Sequence, residues 1–167
     1  MRIEYFTLLM KTLFLESKMF KLSTSSLYDQ TTFYSRFMKD LHRAKTRVVI
    51  ESPFITKKRM QKILPILSIL CKRGVKIIIN TKPFDEHEQT YQDQAIWAVE
   101  IMQYLGVEVL FTCGHHRKIA IIDDEILYEG SLNILSHNNS CELMRRIQDK
   151  PSVKEMIKFT GLRKWCK

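Results

Sequence analysis

Apolar positions along this chain of 167 residues alternate between helical and strand periods. Phe33, Phe37, Leu41 and Ala44 recur at three- and four-residue steps, which predicts a helix. Arg47 to Ile55 contains Val48, Val49 and Ile50 and is stopped by Ser52-Pro53, the pattern of a buried strand. Lys57 to Lys72 places Met60, Ile63, Leu64, Leu67 and Leu70 on one helical face. Pro65 inside it predicts a kink or a late start, and Arg73-Gly74 a C-terminal stop. Val75 to Asn80 holds three consecutive isoleucines, as a strand covered on both faces does.

Thr81 to Glu88 is a polar loop. A helix then runs to about Leu105, with Ala95, Val99, Met102 and Leu105 aligned and Gly106 as its cap. Val107 to Phe111 predicts a strand and Thr112-Cys113-Gly114 a turn. His116 to Ile122 and Ile126 to Glu129 read as a hairpin joined at Asp123-Asp124, Cys141 to Ile147 as one more strand, and Val153 to Trp165 as a closing helix. Helices and strands that alternate and then give way to a strand cluster predict an α/β fold, a mixed β-sheet sandwiched between α-helices. The chain contains no internal repeat.

The polar break Ser23-Thr24-Ser25-Ser26 divides residues 1–22 from a main domain at 23–167. Ile3 to Leu15 is rich in apolar residues, but Lys11 interrupts it and the run is too short to span a bilayer. No small-residue cleavage site follows it. With Arg2, Lys11, Lys18 and Lys21, this extension fits a surface-docking helix, or an element packed on the domain or across a dimer.

Composition changes the picture in one respect. Hydrophobic residues at 45% and charged residues at 27% are ordinary for a globular protein, but a net charge of +9 is not. A field of that sign favours polyanions, with nucleic acid first and an anionic membrane surface second. Cys71, Cys113, Cys141 and Cys166 form neither a CxxC pair nor a Cys/His cluster of zinc spacing. They read as reduced cysteines in a cytoplasmic protein.

The chemistry-bearing residues are concentrated between 116 and 142. Strand side chains alternate, so His116 and Lys118 project to one side. Asp123, seven residues on, falls on the other face or in the turn, where a supporting role suits it. Ser131 and Asn133 are again two apart and follow Gly130, a residue that lets backbone approach a ligand closely. Imidazole is a competent nucleophile at neutral pH, and an ammonium with an amide donor can hold phosphate oxygens. The carboxylates are too scattered for a two-metal site, so metal-independent chemistry without a cofactor is expected.

This H-x-K-x4-D-x6-G-S-x-N pattern resembles the signature of the phospholipase D superfamily at each defined position. The resemblance extends over roughly Tyr34 to Ile147, including Val-Val-Ile-Glu-Ser-Pro-Phe-Ile and Arg-Gly-Val-Lys-Ile-Ile-Ile. It implies a single-motif subunit of the α/β/α kind and a role for each residue. His116 would attack phosphorus to form a phosphohistidine. Lys118 and Asn133 would hold the non-bridging oxygens, and Ser131 would offer its hydroxyl. Glu142 would orient the histidine.

The motif occurs once, whereas this chemistry needs a group to protonate the leaving oxygen and then activate water, and the resemblance implies that a second motif histidine does so. His115 precedes Arg117 rather than lysine, and His42, His87 and His137 lack a suitably spaced lysine. A two-fold homodimer with its active site on the axis supplies that second group, as would another motif-bearing protein.

The resemblance and the charge together imply a non-specific endonuclease, acting on DNA before RNA. Lys57, Lys58, Arg59, Arg145 and Arg146 are candidate backbone contacts, and no base-reading motif is present. Glu129 to Ser136 also resembles nuclease modules attached to bacterial helicases and restriction systems, which implies association with a helicase or another DNA-processing protein. No membrane is obligatory. The alternatives are a phospholipid hydrolase or transferase at a membrane surface and a nucleic-acid-binding module of low turnover.

Overall fold

The computed structural model describes residues 24–136 and 140–162. The expectations for residues 1–22, His137, Trp165 and Cys166 lie outside the described residues. The strands are β1 (Thr24–Asp29), β2 (Arg47–Glu51), β3 (Lys76–Thr81), β4 (Glu108–Phe111), β5 (Ile119–Ile122), β6 (Ile126–Gly130) and β7 (Leu143–Gln148). The helices are α1 (Phe33–His42), α2 (Lys57–Lys72), α3 (Gln89–Tyr104) and α4 (Lys150–Phe159), with a 3-10 turn at Phe84–Glu86. All seven strands form one sheet in the order β1-β7-β6-β5-β2-β3-β4. β2, β3 and β4 run parallel, whereas β5 pairs antiparallel with β2 and with β6, and β7 pairs antiparallel with β6 and β1.

Both faces of the sheet are covered, which is why its central strands are apolar throughout. Ile77 and Ile79 join Val48, Ile50, Ala120 and Tyr128 in a core against α1, α2 and α3. Ile78 faces the other way, with Val49, Ile119, Ile121 and Leu127 packed against Val153 and Ile157 of α4. The three consecutive isoleucines of β3 therefore do serve both layers. Asp123 and Asp124 have φ of 53° and 54°. The Glu125 N–H donates to the Ile122 carbonyl at 3.1 Å, closing the tight hairpin turn between β5 and β6.

Several elements differ from expectation for identifiable reasons. Thr24, Ser25 and Ser26, read as part of a polar break, belong to edge strand β1, paired with β7 from Thr24↔Gln148 to Asp29↔Leu143. An edge strand half open to water needs no alternating apolar pattern. Helix α2 starts at Lys57 and runs through Pro65, which stands on its exposed side, where the carbonyl freed by the missing N–H can turn to water. Strand β5 begins at Ile119, so His116 and Lys118 belong to the extended segment leading into it. The closing helix is Lys150–Phe159, starting earlier than expected because Asp149 caps it through the Ser152 N–H at 2.9 Å.

Strand direction decides where the site lies. β2 and β3 end, β5 begins, β6 ends and β7 begins at the same edge of the sheet, as the pairs Glu51↔Asn80, Glu51↔Ile119, Ile119↔Glu129 and Gly130↔Met144 show. The segments that precede β5 and follow β6 therefore meet there. Gly130 is what lets β6 end this way. A Cβ on it would fall on the Leu143 carbonyl oxygen and lie 2.9 Å from the Met144 Cα, so the close approach it permits is that of β7, not of a ligand. Gly130→Ala is expected to cost about 1–3 kcal/mol of stability by forcing β6 and β7 apart. A lowered melting temperature checks this, and an unchanged one would contradict it.

Candidate phosphodiester-cleaving site

His116 is exposed while Lys118 is only 8% exposed, and the two side chains meet. The Lys118 Nζ donates to the His116 carbonyl at 2.6 Å and lies 2.8 Å from Nδ1 and 3.4 Å from Nε2 of the ring. The shared side expected from their spacing is thus realised. Burial lowers the pKa of Lys118, with the Glu142 carboxylate opposing that shift and the Lys82 ammonium adding to it. Lys82 is therefore a second cation in the electrostatic range of Lys118. Nothing in its sequence context, Thr81-Lys82-Pro83, marks it out.

The neighbouring residues His115 and Arg117 turn to the other side. His115 is buried, and burial lowers its pKa first, with Glu51 opposing and Arg117, Lys118 and His116 contributing. Arg117 donates from Nε and Nη2 to the two oxygens of Glu51 at 2.6 and 2.7 Å. Glu51 is fully buried and also accepts from Asn80 at 3.0 Å, while the Thr112 hydroxyl donates to the Asn80 carbonyl oxygen at 3.0 Å. The Gly114 N–H donates to Glu86 at 2.9 Å. Residues 112–118 are thereby held by β2, β3 and the 3-10 turn, which fixes the backbone carrying His116. Sequence reading missed Glu51 in this part, although an acid ending an apolar strand was visible.

Ser131 and Asn133 arrive from the end of β6. The Ser131 hydroxyl accepts from the Leu143 N–H at 3.1 Å, leaving its own proton available for donation. The segment after it is tied to the loop following β2. Ser52 Oγ accepts from the Leu135 N–H at 3.1 Å, and the Thr56 N–H donates to the Leu135 carbonyl at 3.0 Å. The Tyr34 hydroxyl lies 3.2, 3.3 and 3.2 Å from the carbonyls of Asn133, Ile134 and Ser136. Asn133 lines a cavity of about 360 Å³ together with Tyr34, Arg59, Ser136 and Glu142, and its Oδ1 is buried without a partner.

Glu142 shares that cavity. Its carboxylate accepts from the Ser140 hydroxyl at 2.7 Å and its N–H donates to Gln30 at 3.0 Å. Among the described residues no hydrogen bond joins it to His116, whose ring is met by Lys118 instead. Its field reaches Lys118 and Tyr34. Burial, opposed by Arg59 and reinforced by Glu142, pushes the Tyr34 hydroxyl up to about 12.

Asp123 lies at the opposite end of β5. Its carboxylate accepts from the N–H groups of Lys45, Thr46 and Arg47 at 2.8–3.2 Å and from the Thr46 hydroxyl at 2.9 Å, anchoring the entrance of β2. Burial alone would raise its pKa, but the backbone N–H groups of Thr46, Arg47 and Lys45 hold it below the usual carboxylate range. Asp123→Ala is expected to lower stability by about 2 kcal/mol. Turnover by the folded protein should persist, and comparing melting with kcat separates the two.

The candidate nucleic-acid contacts separate as well. Lys57 and Lys58 are exposed at the start of α2, and Arg59 is half-buried with its guanidinium over the Tyr34 ring. Arg145 and Arg146, adjacent on β7, point to opposite faces. Arg145 is exposed and bonds to Ser25 Oγ at 2.8 Å. Arg146, expected at the surface, is 5% exposed and donates to Asp40 at 2.6 Å, so it is a core ion-pair residue rather than a phosphate contact. Strand alternation explains the split.

A family model described as "Cardiolipin synthase, PLD-like domain" matches residues 37–162, well over half of the chain. Among solved structures, the chain is similar to the phospholipase D family member Nuc from Salmonella typhimurium. Identity is 16%, the TM-score is 0.70, and the match covers 84% of this chain and 93% of that one. It is likewise similar to NucT from Helicobacter pylori, with 21% identity, a TM-score of 0.65, and coverage of 82% and 92%. TrmBL2, an archaeal chromatin protein, matches with 13% identity, a TM-score of 0.57, and coverage of 98% and 62%. Among curated proteins no sequence matches significantly. These structural likenesses show the fold, and the family match covers the edge where His116, Lys118, Asn133 and Glu142 lie, so the chain belongs to the phospholipase D superfamily.

Proposed function

We propose that this protein is a metal-independent phosphodiesterase that cleaves nucleic acid with little sequence preference, through a phosphohistidine at a site shared by two copies of the chain. The observation that carries the reading is the exposed His116 ring against the buried Lys118, on an edge that also presents Asn133 and Glu142. An imidazole nitrogen of His116 attacks phosphorus and the bond to the leaving oxygen breaks. A second His116, from another copy, gives that oxygen its proton. The same second histidine then takes a proton from water, which attacks phosphorus and releases His116. Lys118, Lys82 and the Asn133 amide offset the charge that gathers on the non-bridging oxygens.

Two further features support sharing. His115 is buried and His87 is 7% exposed, so neither is placed as an open acid beside His116. At the site edge, Leu27 on β1 and Leu143 on β7 are 55% and 51% exposed. They are diagonal neighbours in the β1–β7 register and offer apolar surface to a second copy. The net charge of +9 and the DNA binding named for TrmBL2 favour nucleic acid as substrate. Among the described residues, no helix is long and apolar enough to cross a membrane.

The test is incubation with labelled single- and double-stranded DNA and RNA in excess chelator, across a salt series. Chelator-resistant cleavage that weakens steeply with salt is expected. Cleavage only with added magnesium, or release of phosphatidate from vesicles without nuclease activity, would contradict the reading.

A further inference from the structure

Arg59 stands apart from the other arginines that the fold buries. Arg36 and Arg146 pair with Asp40, and Arg47 pairs with Asp124. Arg59, in the first turn of α2, has no carboxylate and no hydrogen-bond acceptor among the described residues, and its Nε–H is buried without a partner. What it has is a ring, with the guanidinium carbon 3.1 Å from the Tyr34 centroid. Stacking fixes the plane of the guanidinium but does not neutralise it. A half-buried cation in this state has lost hydration without gaining an anion.

The space it faces is open to a ligand, with Arg59 as the cation in its lining and Glu142 as the opposing carboxylate. Arg59 and Tyr34 line the cavity of about 360 Å³ that Asn133 and Glu142 also line. The unpartnered Asn133 Oδ1 is an acceptor and offers a phosphate nothing, so within this side chain only the amide NH2 can meet one. The cavity meets the candidate cleavage site at Asn133, the motif residue in its lining. Tyr34 also holds the backbone of Asn133 through its hydroxyl, so the stack is built onto the segment that carries the motif asparagine.

We infer that the Arg59–Tyr34 stack seats the phosphate next to the one being cleaved, making this a subsite for a polynucleotide strand rather than for an isolated diester. The inference rests on the nuclease reading and sharpens it. Charge-assisted bonds from a planar guanidinium to the flanking phosphate would anchor the strand, while His116 and Lys118 act on its neighbour.

The experiment uses His116→Ala protein, so that nothing is cut, and fluorescent oligothymidylates carrying one or three phosphodiesters. Adding Arg59→Ala should weaken binding of the three-phosphate ligand by about tenfold. Binding of the single diester should change less than about twofold. Arg59→Gln, which keeps most of the stem, should reproduce the loss, and the salt dependence of the longer ligand should fall by about one phosphate contact. Melting curves show whether each variant is folded. Equal weakening of both ligands, or of neither, overturns the subsite while leaving the nuclease reading intact. If the His116→Ala protein binds neither oligonucleotide, the nucleic-acid reading fails and the subsite with it.

Discussion

Replacing His116 by alanine is expected to reduce phosphodiester cleavage by about ten-thousand-fold or more, with the fold intact. The size follows from the role. If the ring forms the bond to phosphorus, its loss removes the reaction path rather than weakening a contact. The side chain is exposed and its polar contacts are with Lys118, so little packing is lost and the melting temperature should hardly move. Sharing adds a second signature. If each site uses two copies of His116, an inactive subunit poisons its partner. An equimolar mixture of wild type and His116→Ala, re-equilibrated as dimers, should retain about one quarter of wild-type activity, rather than the half expected from independent subunits. A linear dependence on wild-type fraction would rule out sharing and leave the chain to find its proton donor elsewhere.

Asp40→Ala is expected to have the largest effect on stability, a loss of about 3–5 kcal/mol. Asp40 is 4% exposed and accepts from Arg146 Nε and from the Tyr128 hydroxyl, each at 2.6 Å. Removing it leaves the Arg146 guanidinium buried without its counter-ion and the Tyr128 hydroxyl without its acceptor. The melting temperature should fall by roughly 10 °C. Burial alone would raise the pKa of Asp40, but the bonds from Arg146 and Tyr128 and the Arg36 charge hold it below its ordinary value of 3.8. The pair therefore contributes fully above that value and loses its contribution as the pH falls through the lowered one. Wild type and Asp40→Ala should converge in stability in that acidic range and diverge at neutral pH. A variant as stable as wild type at pH 7 would contradict the assignment of Arg146 to the core.

The burial of Arg146 depends on a partner that is distant in sequence. By sequence Arg145 and Arg146 are both candidate phosphate contacts, and nothing local says which of them faces the core, because the deciding partner, Asp40, lies far back in the chain on α1. Where apolar period and turn chemistry agree, reading succeeded. The isoleucines of β3, the apolar face of α2 and the Asp123-Asp124 turn were legible because each is a short-range pattern with one physical solution. Strand β1 was not legible, because its serines and threonines satisfy an edge that packing barely constrains. In the site, His116, Lys118 and Asn133 were visible as a motif. Glu51, Lys82 and Tyr34 were not, since they reach it only through the topology that gathers several strand ends at one edge.

In the proposed reaction, His116 is joined covalently to substrate phosphorus during turnover. The most direct measurement is a rapid alkaline quench of the enzyme with labelled DNA in excess chelator, followed by peptide mapping by mass spectrometry. A phosphoramidate adduct is expected on the peptide containing His116, formed and consumed at the rate of turnover and absent from His116→Ala. Chelator-resistant cleavage at full rate with no adduct at any time point, or an adduct on a different residue, would contradict it.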